Sequence, residues 1–117
     1  MSTREIGVDG EDIASAYLER QGYDICLKNW TIPGGELDII AYKDGITVFV
    51  EVKFRTNTVR GHSRESLSLQ KRKHLRRSGL LYATKNGLAE EVIRFDFIAI
   101  QKRSRCYHLE HFMNIEI

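Results

Sequence analysis

Residues 36–54 read Glu-Leu-Asp-Ile-Ile-Ala-Tyr-Lys-Asp-Gly-Ile-Thr-Val-Phe-Val-Glu-Val-Lys-Phe, two alternating segments joined through Asp44-Gly45. Period-two alternation marks strands, and Asp-Gly between two such runs is a strong hairpin signal. With Asp44 and Gly45 as the turn, Asp38 lies opposite Glu51, and Glu36 lies opposite Lys53. Directly opposed side chains sit roughly 4.5–5.5 Å apart at Cβ, and like charges so placed weaken a hairpin. A divalent cation between the two carboxylates would remove that cost. Glu51 and Lys53, two apart, share a face. Val48, Val50, Val52 and Phe54 point to the other face, the candidate core. A one-residue slip would turn Asp38 to the opposite side, so the hairpin register decides the chemistry of this patch.

An acid pair and a lysine on one patch of an apolar sheet point to metal-dependent phosphodiester chemistry. Two carboxylates suit a hard cation such as Mg²⁺, which keeps several of its waters. Such a cation lowers the pKa of water and neutralises developing phosphate charge. Lys53 is placed to orient or activate an attacking water.

The spacing Asp38, twelve residues, Glu51-Val52-Lys53 resembles the PD-(D/E)XK nuclease motif of restriction-endonuclease-like folds. A wider frame surrounds it: Gly10-Glu11, Gly22-Tyr23, Asn29-Trp30, Gly35-Glu36-Leu37-Asp38-Ile39-Ile40-Ala41, Val48 through Arg55, Lys71, and Arg94-Phe95-Asp96. That order and spacing, over residues 7 to 112, resembles the small bacterial YraN-type family of predicted endonucleases. That family is similar in fold to archaeal Holliday junction resolvases. Two positions depart from the pattern. Leu37 stands where the motif name has proline, as is expected within this family. The family's glycine-proline stretch after the active strand reads Gly61-His62-Ser63-Arg64. The resemblance implies a mixed β-sheet of about five strands flanked by helices. It also implies a first-helix acid, Glu11, approaching the metal through water, and the Val52 carbonyl as a further ligand. Related resolvases act as dimers, because a two-fold substrate needs two sites, so a homodimer is the assembly implied.

At 117 residues the chain is read as one domain, 1–117, able to bury roughly two-thirds of its unfolded surface. Its 42% hydrophobic and 29% charged residues are those of a soluble globular protein. No apolar run is long enough to span a membrane, and Met1-Ser2-Thr3-Arg4-Glu5 lacks a signal-peptide core. A cytoplasmic protein with no membrane partner is expected. Cys26 and Cys106 fit no metal or redox spacing and read as reduced, partly buried thiols. The net charge of +2 conceals an asymmetry. Residues 1–50 carry 4 Lys/Arg against 9 Asp/Glu, and residues 51–117 carry 14 against 7. Within residues 52–85, ten Lys/Arg face only Glu65. A basic stretch beside an acidic site suits a polyanion held by its phosphates.

Asp9 is a candidate N-cap for a first helix to about Gln21, with Gly22 as its stop. Residues 23–29 read as a strand with Ile25 and Leu27 on one face, and Trp30 to Gly35 as a turn. A loop from about Thr56 to Ser66 precedes a second helix, capped by Ser68 and stopped at Asn86-Gly87. On that helix Leu75, Ser78 and Tyr82 share a face with Lys71, whereas Arg72, Lys73, Arg76 and Arg77 take the outer arc. Val92–Ile100 and Tyr107–Phe112 are the last strands, and the tail Phe112–Ile117 is a candidate docking strand.

Each sharp reading has a plain counterpart. Asp38 and Glu51 could form a solvated strand face, with Lys53 merely neutralising Glu36. Glu11 in a first turn is already explained by the helix dipole. The basic helix could be only a solvated face. His108 and His111 read as strand or surface residues, Trp30 as a core or turn anchor, and Arg94 with Asp96 as a structural polar patch. The leading expectation is an α/β nuclease hydrolysing DNA phosphodiesters, branched or structured DNA included, with Mg²⁺ or Mn²⁺. Asp38, Glu51, Lys53 and Glu11 would carry catalysis. Asp38, Glu51 and Val52 would hold the metal, and Arg55, Lys71, Arg72 and Arg76 the nucleic acid. The alternatives are a non-catalytic nucleic-acid-binding module of the same fold, and an adaptor whose basic helix meets an acidic protein.

Overall fold

A computed structural model describes residues 10–55 and 67–117. Helix α1 (Gly10–Arg20) leads into strands β1 (Asp24–Ile32), β2 (Gly35–Lys43) and β3 (Ile46–Arg55). Helix α2 (Leu69–Lys85), a 3₁₀ turn (Glu90–Val92), β4 (Ile93–Arg103) and β5 (Cys106–Phe112) follow. The strands form one sheet in chain order. Every neighbouring pair is antiparallel except β3 and β4, which are parallel. A parallel pair requires a crossover, and α2 lies within it. The result is the expected α/β architecture, a mixed five-stranded sheet with a helix on each face.

The Asp44-Gly45 turn organises this arrangement. Its φ values of 52° and 83° are both positive, as a type I′ turn requires. The ladder from Ile39↔Val50 to Lys43↔Ile46 has the register expected from that turn. It divides the side chains between two faces. Ile39, Ala41, Val48 and Val50 pack with Ala14 and Leu18 of α1, whereas Ile40 and Phe49 pack with Leu75 of α2. Ser68 caps α2 by accepting from the Lys71 N–H at 3.2 Å, and Asn86 closes it. Gly79 brings α2 down on the sheet: a β carbon there would lie 2.5 Å from Phe95 and 2.8 Å from Phe49.

Several local expectations change. Trp30 to Ile32 belong to β1, so the turn shrinks to Pro33-Gly34. A bulge between Ile25 and Leu27 shifts the register. Ile25 therefore packs on the core while Leu27 is exposed, and the two do not share a buried face. Cys26 and Cys106 are free and exposed rather than partly buried. Both lie on the strands at the sheet's two edges, where one side faces water. Trp30 is an anchor as expected, meeting Tyr82 edge-on with centroids 5.4 Å apart. The tail docks on its own chain. Ile115 N–H donates to Phe95 O at 2.8 Å, and Ile115 and Ile117 pack with the α2-side core. The expected Asp9 cap and the 56–66 loop, with Gly61-His62-Ser63-Arg64, lie outside the described residues.

Arg94 and Asp96 form the structural patch that their spacing suggested, and it is fully buried at Asp96. Asp96 accepts from Arg94 Nε at 2.9 Å, Arg94 Nη2 at 3.0 Å and the Asn114 N–H at 2.9 Å. His111 Nε2 lies 2.7 Å from Asp96 Oδ2, and an ionised carboxylate makes that nitrogen the donor. His111 lies on β5, as a strand reading expects, with its ring buried in this network. Arg94 also donates to Tyr23 at 2.7 Å, and Tyr17 meets His111 Nδ1 at 2.9 Å. Burial alone would raise the Asp96 pKa, but the bonds from His111, Arg94 and Asn114 outweigh it and hold the carboxyl below its usual value.

Asp96→Ala should destabilise the protein by about 3–5 kcal/mol, because it leaves the half-buried Arg94 guanidinium and the His111 ring without their partner; urea unfolding measures this. Gly79→Ala tests the helix–sheet approach. Helix propensity favours alanine by about 1 kcal/mol, whereas overpacking costs about 1–3 kcal/mol. With aromatic rings inside 3 Å, a net loss is expected, and a gain in urea midpoint would contradict the packing.

Candidate functional site

The β2–β3 ladder ends at Ile39↔Val50. Beyond it β3 remains paired with β4, from Glu51↔Phe97 to Arg55↔Gln101. The first half of β2 stays instead with β1, through Trp30↔Leu37 and Thr31↔Glu36. The sheet therefore forks, and Asp38 and Glu51 stand at the fork. The backbone is irregular at this level. Asn29, between the Lys28↔Ile39 and Trp30↔Leu37 pairs and so opposite Asp38, has φ 55°. Leu37 packs with Ile40 and Phe49 rather than with Ile39, so strict alternation breaks around Asp38. The Val52 N–H, past the end of the ladder, donates to Asp38 Oδ2 at 2.9 Å.

Helix α2 roofs the fork. Lys71 Nζ lies 3.9 Å from Glu51 Oε2, and Ser78 Oγ accepts from the Glu36 N–H at 3.0 Å. One helix thus holds both arms, β3 through Lys71 and β2 through Ser78. Glu36, Glu51, Ser68, Gln70, Lys71 and His74 line a cavity of about 440 Å³ between them. His74, Ser68 and Gln70 were not singled out from the sequence as site residues. The signal for His74 was its position three residues after Lys71, a spacing that makes neighbours on one helix face.

Burial pushes the Glu51 carboxyl up to about 7, and the charges of Asp38 and Glu36 push in the same direction. Lys71 and Lys53 oppose this without cancelling it. The reason is geometric: a lysine half-exposed at 3.9 Å contributes no more than about 1 kcal/mol. Glu51 is therefore left undercompensated beside Asp38. Glu36 and Lys53 form no ion pair, because the ladder ends before it reaches them. Among the described residues no three His, Cys, Asp or Glu side chains converge as a ready-made metal cage.

The other expected residues divide. Lys53 acts on Glu51 through its charge. Arg55 ends β3, half-buried. Glu11 lies in the first turn of α1, where Gly10 abuts Phe54 so closely that a β carbon would stand 2.7 Å from Phe54 Cβ. Arg72 leaves the outer arc, its Nε donating to Leu67 O at 3.2 Å. Arg76 is exposed on the outer face of α2. No helix among the described residues is long and apolar enough to cross a membrane.

A family model described as "Uncharacterised protein family UPF0102" matches residues 10–100, which include the fork, the roof helix and the Arg94–Asp96 pair. The chain belongs to this family. It is the YraN-type family that the sequence resembles. A UPF0102 protein of Carboxydothermus hydrogenoformans is 34% identical over 115 residues, covering 98% of each chain. One from Chlorobium phaeobacteroides is 38% identical over 113 residues, covering 92% of this chain and 89% of its own. A third, from Clostridium perfringens, is 39% identical over 97 residues, covering 83% and 80%.

In EDTA, the Glu51 carboxyl should shape stability against pH. Its folded value of about 7 lies above the ordinary 4.5, so between those values the folded state binds the extra proton. Stability should then fall as pH rises from about 4.5 to 7, by roughly 1–3 kcal/mol from this group. Glu51→Gln should remove that slope and melt several degrees above the parent at pH 8. Equal slopes in the two proteins would show that the carboxyl is not held in this way.

Proposed function

We propose that this UPF0102 protein is a metal-dependent nuclease that hydrolyses DNA phosphodiesters, branched or structured DNA included. The observation that carries the reading is the undercompensated Asp38–Glu51 pair at the sheet fork. At the fork the Asp38 charge acts on the half-buried Glu51 carboxylate, at a cost that the nearby lysines do not offset. A hard divalent cation matches that deficit in charge and in donor type. Asp38 and Glu51 would hold Mg²⁺ or Mn²⁺, with the Val52 carbonyl as a third oxygen donor. When bound, such a cation supplies Lewis-acid charge for attack on a phosphodiester.

The chain's own groups account for the remaining work. The Val52 N–H donates to one oxygen of Asp38 and fixes the orientation of its carboxylate. Lys53 would orient the attacking water and meet the phosphate. Lys71, already beside Glu51, would pass from carboxylate to phosphate when substrate enters. Glu11 would complete the outer shell, with Arg55, Arg72 and Arg76 holding the flanking backbone. Phosphate contacts carry little sequence information, so selection by DNA shape is expected. A homodimer would present two such clefts to a two-fold substrate.

The second reading is a nucleic-acid-binding module of the same fold without turnover. It is favoured by one observation: among the described residues no three His, Cys, Asp or Glu side chains converge. Cleavage of labelled linear, single-stranded, flapped and four-way-junction DNA separates the two. With Mg²⁺ or Mn²⁺ the parent should cut and EDTA should stop it. Asp38→Asn and Lys53→Ala should each lose at least about 10²-fold, the scale of removing one preorganised charge-stabilising group. Salt-sensitive binding without cutting on every substrate would select the module.

A further inference from the structure

The roof helix carries a second pattern. Lys71, His74 and Arg77 are three apart in succession, so they form a row inclined across α2. Each member lies against a different part of the fork. Lys71 is beside Glu51 of β3. His74 lines the cleft that Glu36 and Glu51 share. Arg77 reaches the β1–β2 turn, where a β carbon on Gly34 would stand 3.4 Å from its Nη2. Ser78, the next residue, binds the Glu36 N–H, so this stretch of helix is fixed against β2. Arg77 is exposed beside Gly34 of the β1–β2 turn, just beyond the residues that line the cleft.

Resting on the nuclease reading of the same cleft, we infer that this row is the exit track of the nucleic-acid strand. The strand leaves the scissile position at Glu51 and passes His74. Arg77 then clamps a backbone phosphate at the Pro33-Gly34 turn. Six residues of helix span roughly 9 Å, enough for Lys71 and Arg77 to meet different phosphates of one strand. Glu36 also lines this cleft. It repels a phosphate directly at its own position, which places the firm contacts at the two ends, Lys71 and Arg77. The small turn leaves the Arg77 guanidinium open to solvent beside Gly34, and an arginine fork suits two phosphate oxygens. Lys73 and Arg76 lie beside Arg77 on the outer arc and flank the far end of the track.

The test is equilibrium binding of a fluorescein-labelled duplex with a single-stranded flap, in EDTA, over a range of salt. The parent is compared with Arg77→Gln and with Arg20→Gln, an exposed residue at the end of α1 on the opposite sheet face. Loss of one phosphate contact lowers the slope of log K against log salt by about 0.7–0.9. Arg77→Gln should show that loss, with weaker binding and an unchanged melting temperature, whereas Arg20→Gln should match the parent. A methylphosphonate scan of the flap should then find one phosphate whose neutralisation weakens the parent but not Arg77→Gln. Equal slopes for the parent and Arg77→Gln overturn the track. Because no cleavage is read, the two ideas fail separately. A slope change in a protein that never cuts retains the track and rejects the nuclease. Cutting with equal slopes does the reverse, and a parent that binds at no salt concentration rejects both.

Discussion

The site depends on the parting of β2 from β3 one residue after the Ile39↔Val50 pair. Had the ladder continued, Glu36 and Lys53 would have neutralised each other across it, and Asp38 and Glu51 would have formed a plain cross-strand pair. Instead the strands choose different partners, β1 for one and β4 for the other. The backbone N–H of Val52 is then satisfied by the Asp38 side chain. That bond offsets the loss of ladder pairing and points a carboxylate into the gap. A half-buried acid pair results, with one member titrating near neutrality.

Both helices act on this fork from opposite sides. α2 ties the two arms from above through Lys71 and Ser78, and Gly79 lets it settle onto Phe49 and Phe95. α1 lies on the other face, where Gly10 presses on Phe54 and carries Glu11 to the same end of β3. The Asp96 network is a separate constraint. It satisfies a fully buried carboxylate from four directions and fastens the start of the tail through Asn114. With every bond directed inward, it serves as a structural anchor, distinct in chemistry from the undercompensated pair across the sheet.

Most of the local order was legible because it rests on contacts close in sequence. Asp44-Gly45 sets the hairpin register, since two positive φ values leave few other residue choices. Ser68 and Asn86-Gly87 bracket α2 because capping needs only neighbouring atoms. The inward arc of Leu75, Ser78 and Lys71 follows from 3.6 residues per turn. The misreadings arose where a strand departs from its ideal period. The bulge beyond Ile25 moved Leu27, Pro33-Gly34 closed a turn two residues long, and the edge position exposed both cysteines. The sequence placed His111 on a strand but not its partner, because Asp96 is fifteen residues away on another strand.

By itself the sequence determined the α/β class, the hairpin that sets Asp38 against Glu51, the family and the placing of positive charge after the acid pair. These follow from periodicity, turn chemistry and composition, which are local. Only the tertiary structure decided that the sheet forks at this pair, that α2 roofs it, that His74 joins Lys71 in lining the cleft, and that Arg77 comes beside the Gly34 turn. It also decided that Glu36 and Lys53 stay apart. Each of these depends on which strand pairs with which, and strand pairing is a choice between distant segments that neighbouring residues do not make.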